Sequence, residues 1–219
     1  MEPLWKKLRP RTANEFLGNP IEVKALEQRT GAILVDGEYG CGKTSAALVL
    51  GSAVLGKTIP YLGDTWGGNG DMGYGRHLMA DDFDARGFKQ ESGLAGCHVF
   101  IVDEAQTLNK GQITALHGLI EKAWKRSLYI LVTTEPVKLG SPLRSRCYQV
   151  HMRKLNSAER ETLAQRGWTA MEKSGPVPDE LLRAMEKFDD VTIPRVILNI
   201  VEKYALGTDA EQAVLDCRC

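Results

Sequence analysis

Gly37-Glu38-Tyr39-Gly40-Cys41-Gly42-Lys43-Thr44 is the stretch whose reading decides the fold. It has the form G-x-x-x-x-G-K-[ST], and its flanks supply the context that such a loop requires. Before it, Ala32-Ile33-Leu34-Val35 reads as a buried strand running directly into the glycines. After it, Ser45-Ala46-Ala47-Leu48-Val49-Leu50 continues as a helix, because small and straight-chain residues carry little helix penalty. In this arrangement successive backbone N–H groups converge on an anion, and the helix N-terminus behind them adds partial positive charge. Lys43 is the residue type that neutralises β- and γ-phosphates, and a hydroxyl such as that of Thr44 ligates Mg²⁺. Tyr39, Gly40, Cys41, Gly42 and Ser45 complete the expected contact set of a nucleoside triphosphate.

Working outward, His98-Val99-Phe100-Ile101-Val102 reads as a second buried strand and Leu128-Tyr129-Ile130-Leu131-Val132 as a third. Between them Ile113, Leu116, Leu119, Ile120 and Trp124 fall on one helical face, and residues 20–29 read as a further short helix. Strands that are apolar throughout and alternate with helices predict a parallel sheet covered on both faces. The interval 63–87 is glycine-rich (Gly63, Gly67, Gly68, Gly70, Gly73, Gly75) and without period, which predicts a long exposed loop. Past His151 only helices are expected. Ser157 serves as N-cap of one running to about Lys173, Pro178-Asp179 opens a second, and Pro194 opens a third over 195–204. The fold class is therefore α/β, a helix-sandwiched P-loop sheet over 1–152, then a three-helix lid over 153–206 and a C-terminal tail over 207–219.

Lys+Arg and Asp+Glu both number 28 among 219 residues, so no global basic charge points to nucleic acid, and any such contact must come from local placement. The five cysteines, Cys41, Cys97, Cys147, Cys217 and Cys219, form no C-x-x-C pair, which fits a reducing compartment and argues against a disulfide frame. No apolar run reaches the ~20 residues of a membrane span, and the N-terminus lacks a signal-peptide core, so a cytoplasmic protein without membrane contact is expected.

Asp103 ends the second strand, where open α/β sheets place their ligands. A lone Asp there also suits a helix cap. Beside Glu104 it reads better as the residue holding Mg²⁺ through water, with Glu104 as the base that polarises an attacking water.

Three further motifs carry a family resemblance. Val102-Asp103-Glu104-Ala105, Leu131-Val132-Thr133-Thr134-Glu135-Pro136 and Ser145-Arg146-Cys147 resemble the acidic strand, first sensor and Ser-Arg-Cys motif of sliding-clamp-loader ATPases of the AAA+ class. Bacterial DNA polymerase III gamma/tau and the replication factor C small subunits are members. Trp5-Lys6-Lys7-Leu8-Arg9-Pro10-Arg11-Thr12, with Phe16 and Gly18, is similar to that family's N-terminal segment, and Thr192-Ile193-Pro194-Arg195 to its second-sensor helix. The resemblance implies ATP as the nucleotide, with Leu8, Pro10, Phe16 and Leu17 around the adenine. It implies that Thr134 senses the γ-phosphate or the attacking water, and that Arg195 touches the γ-phosphate within its own chain. Arg146 becomes an arginine finger reaching a neighbour's ATP, a contribution of about 10³–10⁵ in rate.

The partners implied are other AAA+ clamp-loader subunits, a sliding clamp and primer-template DNA, with Arg76, Lys89 and Lys110 beside the DNA channel. The implied function is ATP-driven loading of a clamp on primed DNA. Other AAA+ machines of DNA metabolism (branch migration, helicase loading, transposition) and a non-hydrolysing structural subunit are the alternatives. This chain departs from the family in three places: Cys97 alone stands where gamma/tau carries a zinc knuckle, Ile193-Pro194 replaces the glycine before Arg195, and no collar domain follows before Cys219.

Overall fold

The computed structural model describes residues 2–18, 31–55, 98–123, 127–188 and 191–217. The helix expected at 20–29, the glycine-rich stretch 63–87 with Arg76, then Lys89, Cys97, Trp124 and Cys219 lie outside the described residues.

Strands β1 (Gly31–Gly37), β2 (His98–Val102), β3 (Ser127–Thr133) and β4 (Cys147–Met152) form a parallel sheet in the order β2-β3-β1-β4. In register, Ile33 lies opposite Ile130 and Tyr148, and Val35 opposite Val132 and Val150. The two central strands are apolar at nearly every position because both faces are covered. On one face Ile33, Val35, Ile130 and Val132 meet Ala46, Ala47 and Leu50 of helix α2 (Lys43–Leu55). On the other, Ala32, Leu34, Tyr129 and Leu131 meet Leu116 and Ile120 of α3 (Lys110–Ala123). Leu139 and Leu143, from a 3-10 turn (Pro136–Leu139) and the short α4 (Gly140–Arg144), close that second core.

Strand β4 was not expected. Gln149 and His151 are exposed and Cys147, Tyr148 and Val150 only half-buried, so this strand lacks the continuous apolar run that announces a central one. It is pinned where β1 ends. Gly37 has φ +146°, and a Cβ there would stand 2.3 Å from the Met152 carbonyl oxygen.

The C-terminal part is helical: α5 (Ser157–Ala170), α6 (Asp179–Glu186), α7 (Pro194–Ala205) and α8 (Ala210–Leu215) share one core built on Leu163, Leu181, Ile197, Val201 and Val214. Two expectations are corrected. The N-cap of α5 is Asn156, not Ser157: its side chain accepts from Glu159 N–H while the Glu159 carboxylate takes Asn156 N–H, a complete capping box. The stretch 207–219, expected as a tail, contains α8 as a fourth helix. Asp209 caps it, and Ala210, Ala213 and Val214 sit at the three- and four-residue spacing that buries one face. The chain's opening helix α1 (Leu4–Lys7) also belongs to this core, with Leu4 buried in it and Lys7 Nζ donating to Ala170 O at 2.9 Å.

Candidate nucleotide site

A cleft of about 540 Å³ lies between the glycine loop, the N-terminal segment and the helical lid. Its floor is the loop 39–44 with Ser45, its acidic wall Asp103 and Glu104, and its apolar wall Leu8, Pro10, Phe16 and Leu17 with Trp5. Arg195 faces it from the first turn of α7. The expected contact residues Tyr39, Gly40, Cys41, Gly42, Lys43 and Thr44 all line this one space.

The loop is shaped by a glycine that no other residue can replace without strain. Gly40 has φ +76°, and a Cβ on it would stand 2.4 Å from Ile193 Cγ2, so the lid rests directly on the loop. Lys43 is buried and its Nζ donates to the Glu38 carbonyl at 2.7 Å. The ammonium is thus folded over its own loop, and a bound phosphate oxygen would have to take that carbonyl's place.

Thr44 Oγ1 donates to Asp103 Oδ2 at 3.0 Å, and Glu104 N–H donates to Asp103 Oδ1 at 3.0 Å. Burial pushes the Asp103 carboxyl above its ordinary value, and the Thr44 hydroxyl bond only partly opposes this. A half-buried carboxylate paired with a hydroxyl is a hard-oxygen donor set in want of positive charge, which fits Mg²⁺. Among the described residues no group of three or more His, Cys, Asp or Glu could hold a metal ion alone. Thr44 and Asp103 would therefore hold Mg²⁺ together with phosphate oxygens and water, as that ion prefers. When bound, it draws negative charge from the phosphates.

Glu104 adopts the left-handed conformation (φ 52°, ψ 44°), uncommon outside glycine. Its carbonyl accepts from Thr107 N–H at 2.9 Å and from Thr107 Oγ1 at 2.8 Å, which turns the chain sharply and presents the exposed carboxylate to the cleft. The Arg195 guanidinium stacks 4.2 Å from the Trp5 ring centroid. Arg166 on α5 donates to Glu15 O at 3.0 Å, tying the N-terminal segment to the lid.

Two predicted residues stand apart from this cleft. Thr134 follows directly after β3 and is half-buried, while its neighbour Thr133 is buried and bonded to Gln106. Arg146 precedes β4, with Nε and Nη2 on Glu121 Oε1 at 2.8 and 2.7 Å and Nη1 on Pro142 O at 2.7 Å. Neither is among the lining residues. Lys110 is exposed at the first position of α3. Sequence reasoning gave no role to Gln106, Thr133 or Arg166; the bonds Thr133–Gln106 and Arg166–Glu15 join residues distant in sequence and carry no local signal.

No protein-family model matches the chain. Its fold is that of the AAA+ P-loop proteins. It is similar to the Thermotoga maritima RuvB Holliday junction branch migration motor, with TM-score 0.68 and 21% identity over 96% of this chain and 72% of that one. It is also similar to domain III of the replication initiation protein DnaA from the same organism, with TM-score 0.56 and 15% identity over 88% and 87%. In sequence it is similar to replication factor C and DNA polymerase III subunits. It is 24% identical to the replication factor C small subunit of Staphylothermus marinus over 94% of this chain and 63% of that protein. It is 25% identical to a probable replication factor C subunit 2 of Dictyostelium discoideum, over 72% and 48%. With DNA polymerase III gamma/tau of Mycobacterium bovis it shares 26% identity over 93% and 39%. The chain thus spans less than two thirds of the length of each of these three relatives.

Proposed function

We propose that this chain is an ATP-binding and ATP-hydrolysing clamp-loader-type subunit, which assembles with other AAA+ subunits to load a sliding clamp on primer-template DNA. The observation that carries the reading is the Thr44–Asp103 hydrogen bond at 3.0 Å, with Glu104 beside it, on the wall of the cleft that Lys43 and Arg195 also face. Phosphoryl transfer asks the protein chiefly for positioning and charge stabilisation. Lys43 and the loop N–H groups hold the phosphates, Thr44 and Asp103 hold Mg²⁺, and Glu104 orients the attacking water. Arg195 leaves Trp5 for the γ-phosphate, Thr134 senses it from the end of β3, and Leu8, Pro10, Phe16 and Leu17 take the base. Arg146, outside its own chain's cleft, acts on the neighbour's. Lys110, with Arg76 and Lys89, contributes sequence-independent contacts to the DNA backbone.

Turnover of ATP by the assembled protein, with and without primed DNA and a sliding clamp, tests this. Slow turnover alone and stimulation by DNA and clamp together are expected. Replacement of Glu104 by Gln should keep ATP binding within a few-fold and reduce turnover by about 10²-fold or more. Stimulation by junction DNA in the absence of a clamp would instead place the chain with branch-migration machines. ATP binding without turnover in any assembly would make it a structural subunit.

A further inference from the structure

We infer that Gln106 is the positioning residue for Glu104, and that it transmits to that carboxylate the position of the carboxyl end of β3. The inference rests on the reading of Glu104 given above. Gln106 lies in the 3-10 turn Ala105–Thr107 that follows Glu104. Its Nε2 donates to Glu104 Oε2, and its Oε1 accepts from Thr133 Oγ1 at 2.7 Å. Thr133 is 1% exposed, and its Oγ1 also accepts the Glu135 N–H at 3.0 Å.

The donor and acceptor inventory fixes the direction of every one of these bonds. A carboxylate accepts hydrogen bonds, so the Gln106 amide turns its NH₂ to Glu104 and its oxygen to the Thr133 hydroxyl. The backbone N–H of Glu135 occupies a lone pair of the Thr133 hydroxyl, which leaves its proton for Gln106. A chain of bonds therefore runs from the backbone beyond β3, through a buried hydroxyl and one neutral amide, to the group that orients water. Glu104 stands in a strained left-handed turn at an exposed position. Side-chain support for its carboxylate comes from this amide. The β3 end of the relay is the Thr133 hydroxyl with the Glu135 N–H upon it, so a shift of the β3 terminus moves Glu104.

Gln106→Leu and Thr133→Val each cut the relay, at either end of the amide. Each is expected to lower kcat for ATP by about 10- to 100-fold with KM for ATP within about twofold, since a misplaced base affects the transition state and not binding. The double variant should be no slower than the slower single one, because both cut one path. Thr133→Ser, which keeps the hydroxyl, should recover turnover to within about twofold of the native chain. Multiplying effects, or kcat left unchanged by Gln106→Leu, overturn the inference. A second measurement does not depend on turnover. In ¹⁵N-labelled, nucleotide-free protein the Gln106 side-chain amide resonance should move in both Glu104→Gln and Thr133→Val and stay in place in Thr133→Ser. An amide that ignores both changes overturns the relay whether or not the chain hydrolyses ATP. Absence of ATP turnover in the native assembly, with the amide responding as expected, sinks the hydrolytic reading and leaves the relay standing.

Discussion

At the residue scale the glycine loop is bounded by two constraints that a single substitution separates. Gly40 is required both by its positive φ and by Ile193, whose Cγ2 would stand 2.4 Å from an added Cβ. Gly40→Ala should cost about 1–3 kcal/mol of stability and weaken ATP binding, as read by urea unfolding and isothermal titration. Adding Ile193→Ala opens the space but leaves the backbone strained, so the double variant should regain only part of the loss. Complete recovery would mean that the clash alone matters. Thiol chemistry offers a second check at this scale. Burial pushes the Cys147 thiol up to about 12 and raises that of Cys41 above its ordinary value. The nucleophile in alkylation is the thiolate, so both stay protonated near pH 8. Mass mapping after brief iodoacetamide treatment at that pH should find Cys41 and Cys147 unmodified in the folded chain and modified after unfolding.

At the scale of elements, the cap of α5 is the most exposed to test. Arg153 grips the Glu159 carboxylate through Nη1 at 2.8 Å and Nη2 at 2.6 Å, while Asn156 N–H adds a third donor at 2.8 Å. The Arg153 guanidinium first, then the Asn156 N–H, hold Glu159 below the usual carboxylate range against the opposing effect of burial. A folded pKa below the unfolded one means stability that is present above the unfolded value of about 4.3 and lost as pH falls through the folded value. Glu159→Gln should therefore be less stable than the native chain at pH 7 and converge with it in acid. Asn156→Ala should lose about 1 kcal/mol at either pH. Denaturant unfolding at pH 7 and pH 3 distinguishes the two. The sequence signals that worked were the long ones: the apolar runs of β1, β2 and β3. Those that failed were short or non-local. β4 alternates weakly at an edge, α8 shows its buried face over barely a turn, and Asn156 and Ser157 are both good caps that only geometry tells apart. Thr133 and Gln106 stand 27 residues apart, and only the pairing of β2 with β3 brings them together.

At the scale of the molecule, one cation that the proposed function calls on lies outside the cleft. Lys43 and Arg195 face the cleft, while Arg146 lies outside it, held by Glu121 and the Pro142 carbonyl near the start of β4. An exposed ion pair of this kind contributes little to stability, about 0–1 kcal/mol, so its value lies in where it keeps the guanidinium. On the function proposed above, Arg146 held there completes a site on a neighbouring subunit. This dictates an outcome for mixed assemblies in which copies of this chain stand side by side. Arg146→Ala should fold, bind ATP and assemble, yet lose about 10³-fold or more in turnover. Glu104→Gln should also turn over little ATP, about 10²-fold or more below the native chain, but it still presents its arginine. Mixing the two inactive variants creates interfaces that pair an intact Glu104 with an intact neighbouring Arg146. If assembly is random, these make up about a quarter of the interfaces. Turnover should return toward that fraction of native activity when the variants are combined, measured on assemblies whose mixed composition is verified by native mass spectrometry. Mixed assemblies that stay inactive would mean that Arg146 serves its own chain's site or none.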